Sequence, residues 1–169
     1  GNTHRFFRRD GRYFAESDNA QGEMKEFEIA YTFGFYPLQQ YLVGFPDGRF
    51  QVLGIAWDSR PKAEGGQRWY HLYPDEAITH KDVLHWTGSF QNWNSRCAAC
   101  HSTELKKNYS PATNSYATHW AEINVGCEAC HGPGSEHASW AATGLAAKDP
   151  GFSNVLTGNT GANLIIGGG

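Results

Sequence analysis

Several protein classes are excluded by what this chain lacks. No run approaches 18 apolar residues, so nothing reads as a membrane-spanning helix. The net charge is only −3, with 14 Lys and Arg against 17 Asp and Glu, which leaves no basic surface for nucleic acid or an anionic membrane. Hydrophobic residues make up 40% of the 169, low for a core that must stand alone in one domain or two small ones. There is one methionine, Met24, and there are only four cysteines. The chain opens at Gly1 without a charged segment followed by an apolar one, and is expected to be a mature form whose export signal has been removed.

What is there is concentrated in Cys97–His131, which repeats one pattern. The first copy reads Cys97-Ala98-Ala99-Cys100-His101 and the second Cys127-Glu128-Ala129-Cys130-His131. Cys-x-x-Cys-His is the attachment signature of a c-type haem. Two thiols on one tight turn add across vinyl groups on neighbouring pyrroles, and the next residue, His, reaches the iron as proximal ligand. A four-thiolate zinc ribbon is the alternative, but 26 residues separate Cys100 from Cys127, longer than usual ribbon spacing. Nor does zinc explain His after each pair: with 8 His in 169 residues, chance puts one at both places about once in 450. A thioredoxin-like redox pair accounts for a single Cys-x-x-Cys, not for two with trailing histidines. The motifs therefore predict two covalently bound haem c groups. They use up every cysteine, and the macrocycles supply apolar filling that 6 Trp, 8 Tyr and 10 Phe are suited to pack against. Covalent attachment takes place outside the bacterial cytoplasm, so a periplasmic or extracellular location is expected.

The expected fold class is α+β, in three stretches: 1–73 a β-rich scaffold, 74–147 the dihaem region, and 148–169 a β-prone tail. Asp10-Gly11 and Asp47-Gly48 are hairpin dipeptides. His4–Arg8 and Arg12–Glu16 are predicted to flank the first, Gln39–Phe45 and Arg49–Trp57 the second. Between them Phe27, Ile29, Tyr31 and Phe33 alternate with polar or small residues, the period of a half-buried strand. An antiparallel meander of about five strands follows. Arg60–Gly66 reads as a polar loop. From residue 74 short helical pieces are expected, one opening at Pro74-Asp75-Glu76 and one over Glu136–Ala142 capped by Ser135, with the haem motifs in or beside loops. Asn154–Thr157 and Asn163–Ile166 are short β-prone runs in the tail.

With the motifs placed, the chain resembles a family of bacterial multihaem c-type cytochromes related to cytochrome c554, often fused to tetratricopeptide repeats. The resemblance is carried by Pro37–Leu42, Ala56–Lys62, Trp69–Pro74, His85–Gly88, Asn92-Trp93-Asn94 and Cys127–His137. It implies an exported, electron-carrying protein whose irons have two histidine ligands.

The residue count points the same way. With Met24 alone, two His/Met haems are impossible, whereas six histidines remain beyond His101 and His131. His137 follows His131 by six residues, and a helix there would hinder it from reaching the same iron, so it is expected to serve the first haem. His85 or His71 is expected at the second, ahead of His119, His80 and His4. Two bis-histidine irons make an electron carrier rather than an enzyme, exchanging electrons with redox partner proteins or extracellular acceptors. The alternative is a haem enzyme with one open iron, for instance reducing a nitrogen oxide. A redox or gas sensor would need an output module, which is not seen. The β-prone tail and the edges of the β half further suggest a homo-oligomer or homopolymer, a filament built by strand donation.

Overall fold

Asp10 and Gly11 both take positive φ, 51° and 79°, the pair a two-residue turn of the I′ type requires. The turn closes strand β1 (Arg5–Arg9) onto β2 (Arg12–Asp18), with Arg9 opposite Arg12. In this computed structural model residues 4–143 are described; the tail expected at 148–169, with its two β-prone runs, lies outside them.

Seven antiparallel strands follow one another in residues 5–71, in the order β1-β2-β3-β4-β6-β7 with β5 paired to β4. Asn19 makes the next turn, its Oδ1 accepting from the backbone N–H of Gln21 and Glu23, both at 2.9 Å. β3 (Met24–Phe33) carries the alternating run and bulges between Ile29 and Tyr31 before pairing with β4 (Leu38–Gly44). Asp47-Gly48 closes the second hairpin as expected, the Asp47 carboxylate accepting from the Arg49 N–H at 3.1 Å. A Cβ on Gly48 would collide with the Tyr116 carbonyl oxygen, so both φ (79°) and space require glycine there.

The strand expected over Arg49–Trp57 is two strands, β5 (Phe50–Val52) and β6 (Ile55–Asp58). The chain breaks at Leu53-Gly54, where the Leu53 N–H donates to Tyr41 O at 3.1 Å and Gly54 O accepts from Leu72 N–H at 3.0 Å. β4 thereby pairs with β5 through one end and with β6 through the other. β7 (Arg68–His71) completes the sheet, so seven strands stand where about five were expected. The two ends of the strand order, β1 and β7, share no backbone ladder, yet their side chains meet. Phe6 stacks on Trp69 at 4.1 Å and 8°, and the His4 and His71 rings lie 5.2 Å apart. The sheet is therefore curled, with its edges joined by rings.

The chain divides into two compact units, residues 1–99 with 107–118, and residues 100–106 with 119–169. In the first, Ala15, Val43, Leu53, Ile55 and Trp86 form the core, with Phe27 set edge-on to Trp86 at 4.8 Å and 80°. Helix α1 (Trp93–Arg96) lies in this unit, and a small hairpin, β8 (Tyr109–Ser110) with β9 (Ser115–Tyr116), is tied on by Tyr116 N–H donating to Asp47 O at 2.8 Å. No helix opens at Pro74-Asp75-Glu76. Only a turn forms there, Glu76 N–H to Tyr73 O at 3.3 Å, because no apolar stripe follows that would bury a helix face.

In the second unit, residues 102–106 and 119–122 run antiparallel, bridged at Thr103–Glu122 and Lys106–His119. No helix of the described residues is long and apolar enough to cross a membrane.

Candidate haem-binding site

Both motifs are placed by hydrogen bonds that begin in the sheet or in the paired segments. For the first, the buried side chain of Gln51 on β5 donates to Trp86 O at 3.0 Å and Gly88 O at 2.8 Å, and accepts from Asn92 Nδ2 at 3.2 Å. Asn92 in turn caps α1, its Oδ1 accepting from Ser95 N–H at 2.9 Å. Asn94, fully buried, accepts from Phe50 N–H at 2.7 Å and donates to Gly48 O at 3.1 Å and Thr118 Oγ1 at 2.8 Å. Gln51, Asn92 and Asn94 thus fix α1, whose C-cap residue is Cys97; Cys97 N–H donates to Trp93 O at 3.0 Å. The next turn, α2 (Ala98–His101), carries Cys100 and His101.

The second motif is one helical turn, α3 (Glu128–His131), with Cys127 N-terminal to it. Cys127, Cys130 and His131 stand at i, i+3 and i+4, one face of that turn, and His131 N–H donates to Cys127 O at 3.0 Å. The motifs are thus single helical turns beside loops, in keeping with the short helical pieces expected here. Gly132, at φ 74°, ends the turn, and Glu128 Oε1 accepts from Gly134 N–H at 2.8 Å, folding the chain back. The helix expected over Glu136–Ala142 is present as α4 (Ser135–Ala142). Ser135 is its first residue rather than its cap, since Gly134 holds that position and makes no side-chain bond.

Thr103 ties the motifs together. It lies two residues after His101; its hydroxyl donates to Asn124 O at 2.8 Å and accepts from Gly126 N–H, the residue before Cys127, at 2.9 Å. Through that link the Cα atoms of His101 and Cys127 are at most about 18 Å apart.

These residues fit covalently attached haem. None of the four cysteines forms a disulfide; Cys100, Cys127 and Cys130 are exposed and Cys97 is half-buried. Among the described residues, no three or more His, Cys, Asp or Glu are gathered as a bare metal-ion site. Of the described residues, all ten buried hydrophobic ones belong to the first unit, whereas the second buries only Ser102 and Thr103. Described residues that form no apolar core among themselves are what a large flat apolar group would complete.

The candidate axial ligands divide between the units. His101, His131 and His137, with His119, belong to the second and are exposed; His137 lies on α4, its ring 5.7 Å from that of Trp140. His71 and His85 belong to the first and line one pocket of about 380 Å³, together with Asp18, Leu84, Trp86 and His4. His85 is buried, with Nδ1 2.8 Å from Thr87 Oγ1 and Nε2 3.2 Å from Asp18 Oδ2. His71 is exposed on β7. His4, among the least expected of the six, joins them because the sheet edges meet. Burial, with His71 and His85 nearby, holds it below the ordinary imidazole pKa against the opposing pull of Asp18. His80 packs on Gly22. Only the meeting of strands distant in sequence reveals this cluster; the one signal within reach was that His4 and His71 each lie two residues from a ring partner, Phe6 and Trp69.

Comparison with known proteins agrees with these motifs. Residues 56–132 match the family described as cytochrome c554 and c-prime. No match was found among curated proteins or solved structures. The matched segment begins in β6 and ends just past His131, so it takes in Gln91–Asn94 and both haem motifs. Over that segment the chain is similar to the cytochrome c554 family.

Proposed function

We propose that this chain is an extracytoplasmic dihaem electron carrier with two closely spaced bis-histidine irons. The observation that carries the reading is the doubled Cys-x-x-Cys-His turn, its two copies joined through Thr103. Cys97 and Cys100 hold one macrocycle by thioethers and Cys127 and Cys130 the other, with His101 and His131 as proximal ligands. His137 serves the first haem, and the second takes His85 or His71. Bound in this way, haem supplies one-electron exchange between ferric and ferrous iron. The protein's part is to attach, orient and ligate, and imidazole on both faces keeps substrates off the metal. Net charge near neutrality and the absence of a basic field suit redox partner proteins or extracellular acceptors rather than nucleic acid.

Subunits assembled end to end would lengthen a two-haem wire, with residues 154–166 of one chain added to a free sheet edge of the next. Sedimentation at high concentration tests the assembly: a monomer throughout overturns it, and filaments that persist after deletion of residues 154–169 overturn the strand donation. For the haem content, intact mass after acid extraction should exceed the polypeptide by two haems. Colour lost into acid butanone, or a mass increase of a single haem, would overturn the dihaem reading.

A further inference from the structure

Thr103 is 2% exposed and is bonded in two distinct ways. Its backbone takes part in the pairing of residues 102–106 with 119–122: the Thr103 N–H donates to Glu122 O at 2.9 Å, and Thr103 O accepts from Ala121 N–H at 3.0 Å. Its hydroxyl reaches beyond that pairing. One oxygen donates to Asn124 O at 2.8 Å and accepts from Gly126 N–H at 2.9 Å, so it holds two residues of the segment that leads into Cys127. Gly126 permits the close approach, since a Cβ there would come 2.9 Å from Glu122 Oε2 and 3.5 Å from the Thr103 hydroxyl.

Where these bonds fall matters more than their number. His101 and Cys127 are 26 residues apart along the chain, a length that could span about 90 Å if extended. Through the hydroxyl they are held within about 18 Å, by two residues on one side of the bond and one on the other. His101, Thr103, Gly126, Cys127 and His131 all lie in one compact unit. A buried hydroxyl with both its bonds made keeps its partners in one geometry, because releasing either leaves a polar group unpaired.

We infer that Thr103 is a positioning residue whose hydroxyl fixes the two haems at a single separation. The inference rests on the dihaem reading above and adds what holds the pair together. Thr103 touches neither iron. It acts through Ser102 on His101, the proximal ligand of the first, and through Gly126 on Cys127, which carries the second macrocycle. The consequence is electronic as well as structural. An electron on one iron lowers the affinity of the other for a second electron, and that effect has one value only where the separation has one value. The methyl and the backbone of Thr103 are not needed for this, and the backbone pairing with Glu122 survives loss of the oxygen.

The test is the iron–iron distance distribution of the oxidised protein by pulsed dipolar EPR, with haem content from intact mass, for Thr103→Ser, Thr103→Val and Thr103→Ala. The parent gives one narrow separation, and Thr103→Ser, which keeps the hydroxyl, gives the same. Thr103→Val keeps the shape of the side chain but not the oxygen. In it the narrow peak is lost to a broad spread reaching longer separations, while both irons stay low-spin because no ligand has been touched. Thr103→Ala gives the same loss, and decides the matter should Thr103→Val fail to accumulate. If both variants carry two haems and keep the narrow peak, the role given to Thr103 is wrong and the dihaem reading stands. A broad spread in the parent or in Thr103→Ser overturns the inference equally. A parent mass increased by a single haem removes the dihaem reading, and the inference falls with it.

Discussion

Replacing Asn94 by alanine should be the most costly single change in the support of the first haem motif. The side chain is fully buried and makes three hydrogen bonds: one from Phe50 N–H at 2.7 Å, and its own to Gly48 O at 3.1 Å and Thr118 Oγ1 at 2.8 Å. Each is worth about 1 kcal/mol net, and stranding the part-buried Phe50 N–H adds about 1–2 kcal/mol, for a loss of about 4–5 kcal/mol. In a chain of 169 residues that lowers the melting temperature by about 8–20 °C. A thermal melt followed by far-UV circular dichroism reads the size of the effect. Native-state hydrogen exchange reads its place, since the Phe50 amide should exchange much faster in the variant. A melting temperature within about 2 °C of the parent, with Phe50 still protected, would refute the claim that Asn94 joins the sheet to α1.

Other expectations follow from the same packing. Leu53 is fully buried in the sheet core, and Leu53→Ala should cost about 2–5 kcal/mol in a urea melt; a cost below about 1 kcal/mol would mean the core is misplaced. The side-chain hydrogen bonds and charge of Arg60 hold the Asp58 carboxyl down to about 2, below its ordinary value. The folded pKa being depressed, that pair's stabilisation is complete above the ordinary carboxylate range and is lost as the pH falls from about 4 towards 2. Asp58→Asn should flatten the acid limb of the stability curve, and an unchanged limb would remove the pair from the account. Changing all four motif cysteines to alanine should leave the seven-stranded sheet folded but abolish exchange protection in residues 119–143, because the buried apolar residues among those described lie in the first unit. Equal protection with and without haem would show that the second unit folds without its macrocycles.

The parts of this molecule legible in its sequence are those whose cause is local. Asp10-Gly11 and Asp47-Gly48 announce turns because their backbone angles are a property of two residues. The haem motifs are equally legible, because vinyl spacing fixes the cysteines within a single turn. The break at Leu53-Gly54 is less so: Val52, Leu53 and Ile55 read as one continuous strand, and the hydrogen bonds that part them go to Tyr41 and Leu72. Gln51, Asn92 and Asn94 look like ordinary strand and loop residues, since the partners that tie them to the sheet and hairpin lie more than 20 residues away. The cluster of His4, His71 and His85 is hidden for the same reason, as it forms only when β1 and β7 meet through Phe6 and Trp69.

The central claim is that both irons carry two imidazoles, and the axial ligands can be read directly. A low-temperature EPR spectrum of the oxidised protein, paired with near-infrared magnetic circular dichroism, should show two low-spin ferric haems with bis-histidine ligation. Reduction potentials should lie well below those of His/Met cytochromes. A high-spin signal approaching half of the total iron in a fresh sample would contradict the account and point instead to an open iron able to bind substrate.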